Sequence, residues 1–368
     1  MNLTYEDALH CAKVFEDYFG NFERIDQYMK DQKLASLAEM PSNPLFAPED
    51  DLFSDFSMHP NDMEIEVLEI PTETWETLLN ITSSHINIAP VGRNVKLAVR
   101  EKKTEKYLGF IRLGSPVINC KPRNEMLGQV FTQDLELARR FNNSAMMGFV
   151  FVPAQPFGYN YIGGKLLAAI CCSHKVREIV NKKYDMNMCL FETTSLYGSS
   201  KTVSQYDGMK PYIRYKGLTE SDFLPMMHGK PYSDLRDFVQ SKVGPLVDEE
   251  ASSKKLKISM RIIALTKAAL KGTPELAKFM EVIDNAKKLT EQKRYYVSNY
   301  GFKNYTDYVN GKTDVLIPDE NYDKFELQNI IEWWKKKATN RYETLRAEGR
   351  LRTELEVWTS GKDIDIIR

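Results

Sequence analysis

With 368 residues, 42% of them hydrophobic, the chain is long enough to bury a full core and to divide into two or three domains. Charged residues make up 27% and the formal net charge is −1, so overall charge singles out no partner. The acidic start has no apolar signal region and no run of about 18 apolar residues follows, which argues against secretion and membrane insertion.

The five cysteines, Cys11, Cys120, Cys171, Cys172 and Cys189, are odd in number, form no CxxC pair and show no zinc spacing. Reduced thiols in a cytoplasmic protein are expected.

Taken in chain order, residues 3–39 read as helices. Ala8, Cys11, Ala12, Phe15 and Phe19 recur at three- and four-residue spacing, and Gly20 offers a stop. Residues 40–62, rich in Pro, Asp and Ser, read as a linker or an ordered acidic arm, which makes 1–63 an acidic helical arm and linker. From Met1 to Glu66 there are 15 acidic and four basic residues. Glu64–Ile70 alternates apolar and acidic as a strand, and Pro71 opens a helix through Thr74–Asn80. Val95–Arg100 and Tyr107–Arg112 are two strands joined by a charged hairpin, Glu101–Lys106.

Gly148–Val152 is a short, wholly apolar run, as in a central strand buried on both faces. A turn, Pro153–Asn160, precedes a predicted amphipathic helix from Ile162 to Lys182. Cys189–Thr193 is the next buried strand, Ser204–Met209 a short helix and Tyr212–Tyr215 a last strand closed by Gly217. Beyond Ser233 the pattern is helical, interrupted near Gly272–Pro274 and Tyr300–Pro318, and there is no internal repeat. The expected domains are the arm, an α/β domain at 64–230 and a basic helical domain at 231–368. Ala251–Lys312 carries 13 basic and five acidic residues. That excess either meets an anionic partner, through Lys254, Lys255 and Lys257, or docks on the acidic head of the same molecule.

The segment GFVFVPAQPFGYNYIGGKLLAAICCS joins a buried strand, a glycine turn and a helix. Such a turn lets backbone N–H groups approach phosphate oxygens at the positive end of a helix dipole. It resembles the pyrophosphate-binding motif Q/R-x-x-G-x-G/A of the GCN5-related N-acyltransferases (GNAT). Gln155 and Gly158 match, Asn160 replaces the last small residue, and Gly163, Gly164 and Lys165 follow at the helix entrance. The resemblance implies a mixed, mostly antiparallel sheet and a phosphate-bearing donor such as acyl-coenzyme A. It also implies an open cleft where the central strand splays from the next, which a structural relic would fill with side chains. In this family a tyrosine after the next strand protonates the departing thiolate, and Tyr206 holds the matching position; otherwise it is a tyrosine half-packed on the sheet. Glu192 lies in a strand too apolar for an unpaired carboxylate. It is either a general base with a raised pKa or one half of an ion pair with Lys165 or Arg214.

The stretch from Val91 to Leu218 is more specifically similar to the transferase-like family of the Druantia anti-phage system. It carries Leu108-Gly109, Asn142-Asn143, the apolar run Phe149–Val152, the L-x-E-T of Leu190–Thr193, and the close Tyr206, Tyr212, Gly217. It is distantly similar to the momylation enzyme of phage Mu, which modifies adenine in DNA. The resemblance implies group transfer onto nucleic acid or a nucleotide, in the manner of a phage-type DNA-modification enzyme. The alternative is a non-catalytic nucleic-acid-binding or anti-defence protein that keeps the GNAT shell. Trp333 and Trp334, on a helix that interleaves aromatics and bases, either stack on nucleic acid or form a buried stripe. His85, His174 and His228 have no metal partners in the sequence pattern.

Overall fold

The computed structural model describes residues 2–20, 33, 58–83, 92–117, 119–195, 204–219, 227, 229–248, 254–289, 293–354 and 357. In chain order the elements begin with α1 (Tyr5–Phe19), β1 (Ile65–Leu68), α2 (Thr72–Thr82), β2 (Asn94–Glu101) and β3 (Tyr107–Gly114). They continue with α3 (Lys121–Leu127), α4 (Leu135–Asn142), β4 (Ala145–Pro153), α5 (Phe157–Asn160), α6 (Gly163–Ile170), α7 (His174–Tyr184) and β5 (Leu190–Thr194). After β6 (Arg214–Leu218) come α8 (Gly229–Val243), α9 (Lys254–Ala269), α10 (Pro274–Leu289), β7 (Arg294–Ser298), α11 (Tyr305–Val309) and α12 (Leu327–Ala347). The fold class is α/β, as expected. Among the described residues no helix is long and apolar enough to cross a membrane, and no cluster of His, Cys, Asp and Glu could hold a metal ion.

The chain divides into two compact units, Met1–Tyr28 with Glu220–Gln292, and Met29–Thr219 with Lys293–Arg368. This differs from the three consecutive domains expected. The basic tail is split: its first part packs with α1, and its last part completes the sheet.

The first unit is helical. Thr4 and Asp7 form a reciprocal capping box at the start of α1, satisfying two N–H groups that a helix start leaves open. The predicted stripe is buried at Ala8, Cys11, Phe15 and Phe19, and Phe15 meets Phe279 of α10 edge-on at 5.5 Å. Lys242 pairs with Asp7 at 3.0 Å and Lys278 with Glu16 at 2.8 Å. In these contacts basic helices dock on the acidic head, one of the two readings of the charge asymmetry.

The second unit is built on a seven-stranded sheet in the order β1-β2-β3-β4-β5-β7-β6. All neighbours are antiparallel except β4 and β5. The charged hairpin between β2 and β3 folds around Glu101, whose buried carboxylate accepts from the Thr104 N–H at 2.7 Å and from the Glu64 N–H at 2.9 Å. Trp75 of α2 is buried against the sheet and donates its ring N–H to the Leu97 carbonyl at 2.9 Å.

Three expectations need correction. The single helix predicted over 162–182 is two, because buried Ser173 caps a new helix through the Val176 N–H and Tyr300 takes the Cys171 carbonyl at 2.9 Å. Ser204–Met209 is a series of turns rather than a helix. The tail read as wholly helical contributes β7, which enters between β5 and β6 and is antiparallel to both. Its sequence, RYYVS, is rich in the aromatic and β-branched residues that suit a strand.

Candidate functional site

β4 and β5 are adjacent central strands, but they pair over only four positions, Ala145–Gly148 with Leu190–Thr193. The Thr193 hydroxyl closes the last pair by donating to the Gly148 carbonyl at 3.0 Å. At that point Arg112 pairs with Val150 and Leu113 with Gly148, which leaves Phe149 as a bulge on β4. Phe149 is 40% exposed and Val150–Pro153 are half-buried, so this half of the strand is not covered on both faces as expected. Beyond Gly148, among the described residues, β4 keeps only β3 as its sheet neighbour and is no longer paired with β5.

Aromatic rings lie over the sheet face beside the notch this leaves. Gly148 has no side chain, and a Cβ there would lie 2.1 Å from the tip of the Phe151 ring and 2.9 Å from that of Phe191. Phe151 therefore folds back over Gly148. Tyr206 stands edge-on to Phe151 at 6.3 Å and to Tyr296 at 5.1 Å, buried, with its hydroxyl bonded to Thr193 and Gln205. Burial pushes the Tyr206 phenol well above its ordinary pKa, opposed by those two hydrogen bonds.

The turn after β4 uses its own side chains. The Gln155 side-chain oxygen accepts from the Tyr159 N–H at 3.0 Å, and a Cβ on Gly158 would meet the Gln155 amide nitrogen at 2.6 Å. Asn160 is buried and bridges to the backbone of Arg352, donating to its carbonyl at 2.8 Å and accepting from its N–H at 3.1 Å. That double role needs an amide, which explains the departure from a small residue. A Cβ on Gly163 would lie 2.6 Å from the Phe157 ring; among these three glycines only Gly164 has ordinary room, with Gln205 at 3.7 Å. The Lys165 ammonium donates to the Asp207 carbonyl. Burial, then neighbouring Lys337, lowers the Lys165 pKa, partly offset by Asp207. The glycines are hemmed in by the chain's own rings and amides, and the lysine is engaged by a backbone carbonyl. These contacts account for Gln155, Gly158, Gly163 and Lys165 by packing within the chain.

Glu192 lies on the other face of β5. In the β5–β7 register Thr193 faces Tyr296, and Glu192 faces Val297. Its carboxylate accepts from Arg123 of α3 at 2.9 Å and from the Tyr295 hydroxyl at 2.6 Å, with both charged side chains fully buried. Arg123 is itself packed on the Phe141 ring at 4.4 Å. Burial raises the Glu192 pKa, opposed by Arg123 and by the Tyr295 hydrogen bond. The ion pair was foreseen, but its partner is neither Lys165 nor Arg214. Glu192 and Tyr206 cannot serve one substrate as base and acid, because the sheet separates them.

The proposed nucleic-acid contacts also divide. Trp334 is buried and donates to the Tyr161 carbonyl at 2.8 Å, so it is core and not a stacking surface. Trp333 is half-buried, edge-on to Tyr212 at 5.0 Å, with the Lys337 ammonium 5.5 Å from its ring centre. In the helical unit, Lys254 and Lys257 are exposed at the start of α9, while Lys255 lies over the Tyr232 ring at 4.7 Å. His174 is buried, bonded to the Tyr322 carbonyl at 2.9 Å; His85 and His228 lie outside the described residues. Arg123 and Tyr295 carried no signal in the sequence, since their roles depend on contacts 69 and 103 residues away.

Residues 46–209 match the family model of the Druantia protein DruA. The match spans β1 to β5 and the Tyr206 turn and ends before β6, β7 and α12. No curated protein and no solved structure matches the chain.

Proposed function

We propose that this chain is a nucleic-acid-binding protein of the conflict between bacteria and phage, carried on a transferase-like shell that performs no group transfer. The similarity to the Druantia protein DruA supports the biological setting. The observation that carries the non-catalytic part is the Phe151 ring lying over Gly148 beside the notch where β4 leaves β5. A donor threading between the two strands would meet that ring and Tyr206 behind it. The two groups that would supply acid–base chemistry, Glu192 and Tyr206, are split across the sheet, and Glu192 is locked in an ion pair. Fluorescence anisotropy with labelled single-stranded and duplex DNA tests the binding: the protein should bind at low salt and release as salt rises. Failure to bind any nucleic acid at low salt would sink the reading.

A second reading, group transfer onto nucleic acid or a nucleotide from acyl-coenzyme A or another phosphate-bearing donor, is favoured by the parting itself. A bulged β4 that loses its partner after Gly148 leaves one backbone edge for a ligand to pair with, provided Phe151 rotates away. Calorimetry against coenzyme A, acyl-coenzyme A and nucleotides, with nucleoside mass spectrometry of DNA from cells with and without the protein, separates the two. Donor binding together with a new nucleoside mass would replace the first reading by the second.

A further inference from the structure

We infer that one polynucleotide strand runs along the half-buried edge of α12 that carries Lys337 and Arg341 and on past its end, its phosphates held by Lys337, Arg341, Arg350 and Arg352. The inference rests on the nucleic-acid reading above and names the surface that serves it. Lys337 and Arg341 are one helical turn apart, about 6 Å along the axis, on the scale of successive phosphates of one strand. Arg341 lies over the Tyr159 ring at 4.8 Å and Arg352 over the same ring at 4.0 Å. The Arg350 guanidinium reaches the Tyr159 hydroxyl at 3.3 Å. Three arginines thus converge on a single tyrosine of the turn after β4, and Lys337 sits over Trp333 one turn up the helix.

Two physical points favour an anion here. The first is the balance of charge. Lys165 and Lys337 are close enough for one to lower the pKa of the other, and among the described residues no carboxylate pairs with Lys337 or Arg341. The acids in the neighbourhood are directed elsewhere or neutralise a single member. Glu348 pairs with Arg350 at 2.6 Å, the Asp207 carboxylate is turned to Arg294 and Tyr296, and Glu343 faces His59. Cations such as Lys337 and Arg341, beside Lys165 and with no carboxylate pairing among the described residues, repel one another until a polyanion lies across them. The second point is order. Long basic side chains lose rotamer freedom on binding, and rings that already hold three of the four reduce that loss. The tyrosine and tryptophan act as supports for cations, so the contacts are to the backbone and carry no base sequence.

The test is a salt titration of the full chain with a labelled single-stranded DNA oligonucleotide. For single strands the slope of log K against log salt is about 0.7 per neutralised phosphate, so Lys337→Ala with Arg341→Ala should lower it by about 1.4. Arg350→Ala with Arg352→Ala, both exposed, should do the same without disturbing the Asn160 contacts, which use the Arg352 backbone. Far-UV circular dichroism checks that each pair folds. Wild-type slope and affinity in the four-fold variant overturns the inference. If Lys254→Glu, Lys255→Glu and Lys257→Glu remove binding in its place, the nucleic-acid reading survives on α9. If the wild type binds no nucleic acid, both fall together. Equal binding of phosphatidylserine vesicles or polyglutamate, lost in the same variants, would also overturn it, since the surface would then accept any polyanion.

Discussion

The two faces of β5 treat adjacent residues in opposite ways. On one face Glu192 is enclosed with Arg123 and Tyr295, every oxygen of its carboxylate partnered and no solvent in contact. On the other, Thr193 shares its face with Tyr206, Tyr296 and Phe151, rings that lie over the sheet. A buried carboxylate in an apolar strand is an equally good sign of a general base and of a locked ion pair, since the same desolvation forces both. What separates them is the neighbour one strand or one helix away. Here the charged face is closed by the Arg123–Glu192 pair, and the uncharged rings lie on the other face.

The sharpest way to break this contrast is Arg123→Met. It leaves the Glu192 carboxylate buried with Tyr295 alone, and should destabilise the fold by about 3–5 kcal/mol in urea unfolding at neutral pH. The sign with pH follows from the raised Glu192 pKa. Removing Arg123 takes away its largest opposing influence, so the folded-state pKa rises further. Stability is then lost as pH rises through that value and regained on acidification toward the unfolded-state value, where the carboxyl is neutral. A deficit independent of pH would mean that Glu192 is not the group left uncompensated.

Next in size is Gly163→Val, which puts a side chain into the Phe157 ring. Phe157 is itself buried against Tyr161 and Trp334. A loss of about 1–3 kcal/mol is expected from overpacking, visible as a lower melting temperature. A wild-type melting temperature with a selective loss of ligand binding would return Gly163 to the donor site. Tyr206→Phe removes hydrogen bonds to Thr193 and Gln205 and should cost about 1 kcal/mol, with DNA binding unchanged. If a modified nucleoside exists and its formation slows by about 10²–10⁴-fold, Tyr206 is an acid after all and the notch opens. The smallest effect belongs to the helical unit. Lys278→Ala breaks an exposed pair with Glu16 and should cost about 0.2–1 kcal/mol at low salt and less at high salt.

The sequence by itself determined the local features of this protein. The α1 stripe, the β2–β3 hairpin, the buried β5 and the helix that opens at Gly163 follow from apolar periodicity, charge at turns and glycine placement, which act over a few residues. The burial of Glu192 was legible for the same reason, because its neighbours in the chain are apolar. Tertiary structure alone decided its partner, since Arg123 is 69 residues away and nothing in either segment encodes the approach. It also decided that Trp334 is core while Trp333 supports Lys337, a difference of one position around α12 set by which side meets Tyr161. The same holds for β7. Its residues favour a strand, but only the vacancy between β5 and β6 gives that strand both its neighbours, and a long helical excursion of the chain separates it from them. Long-range pairing of this kind depends on the free energy of the assembled sheet, which no local window contains.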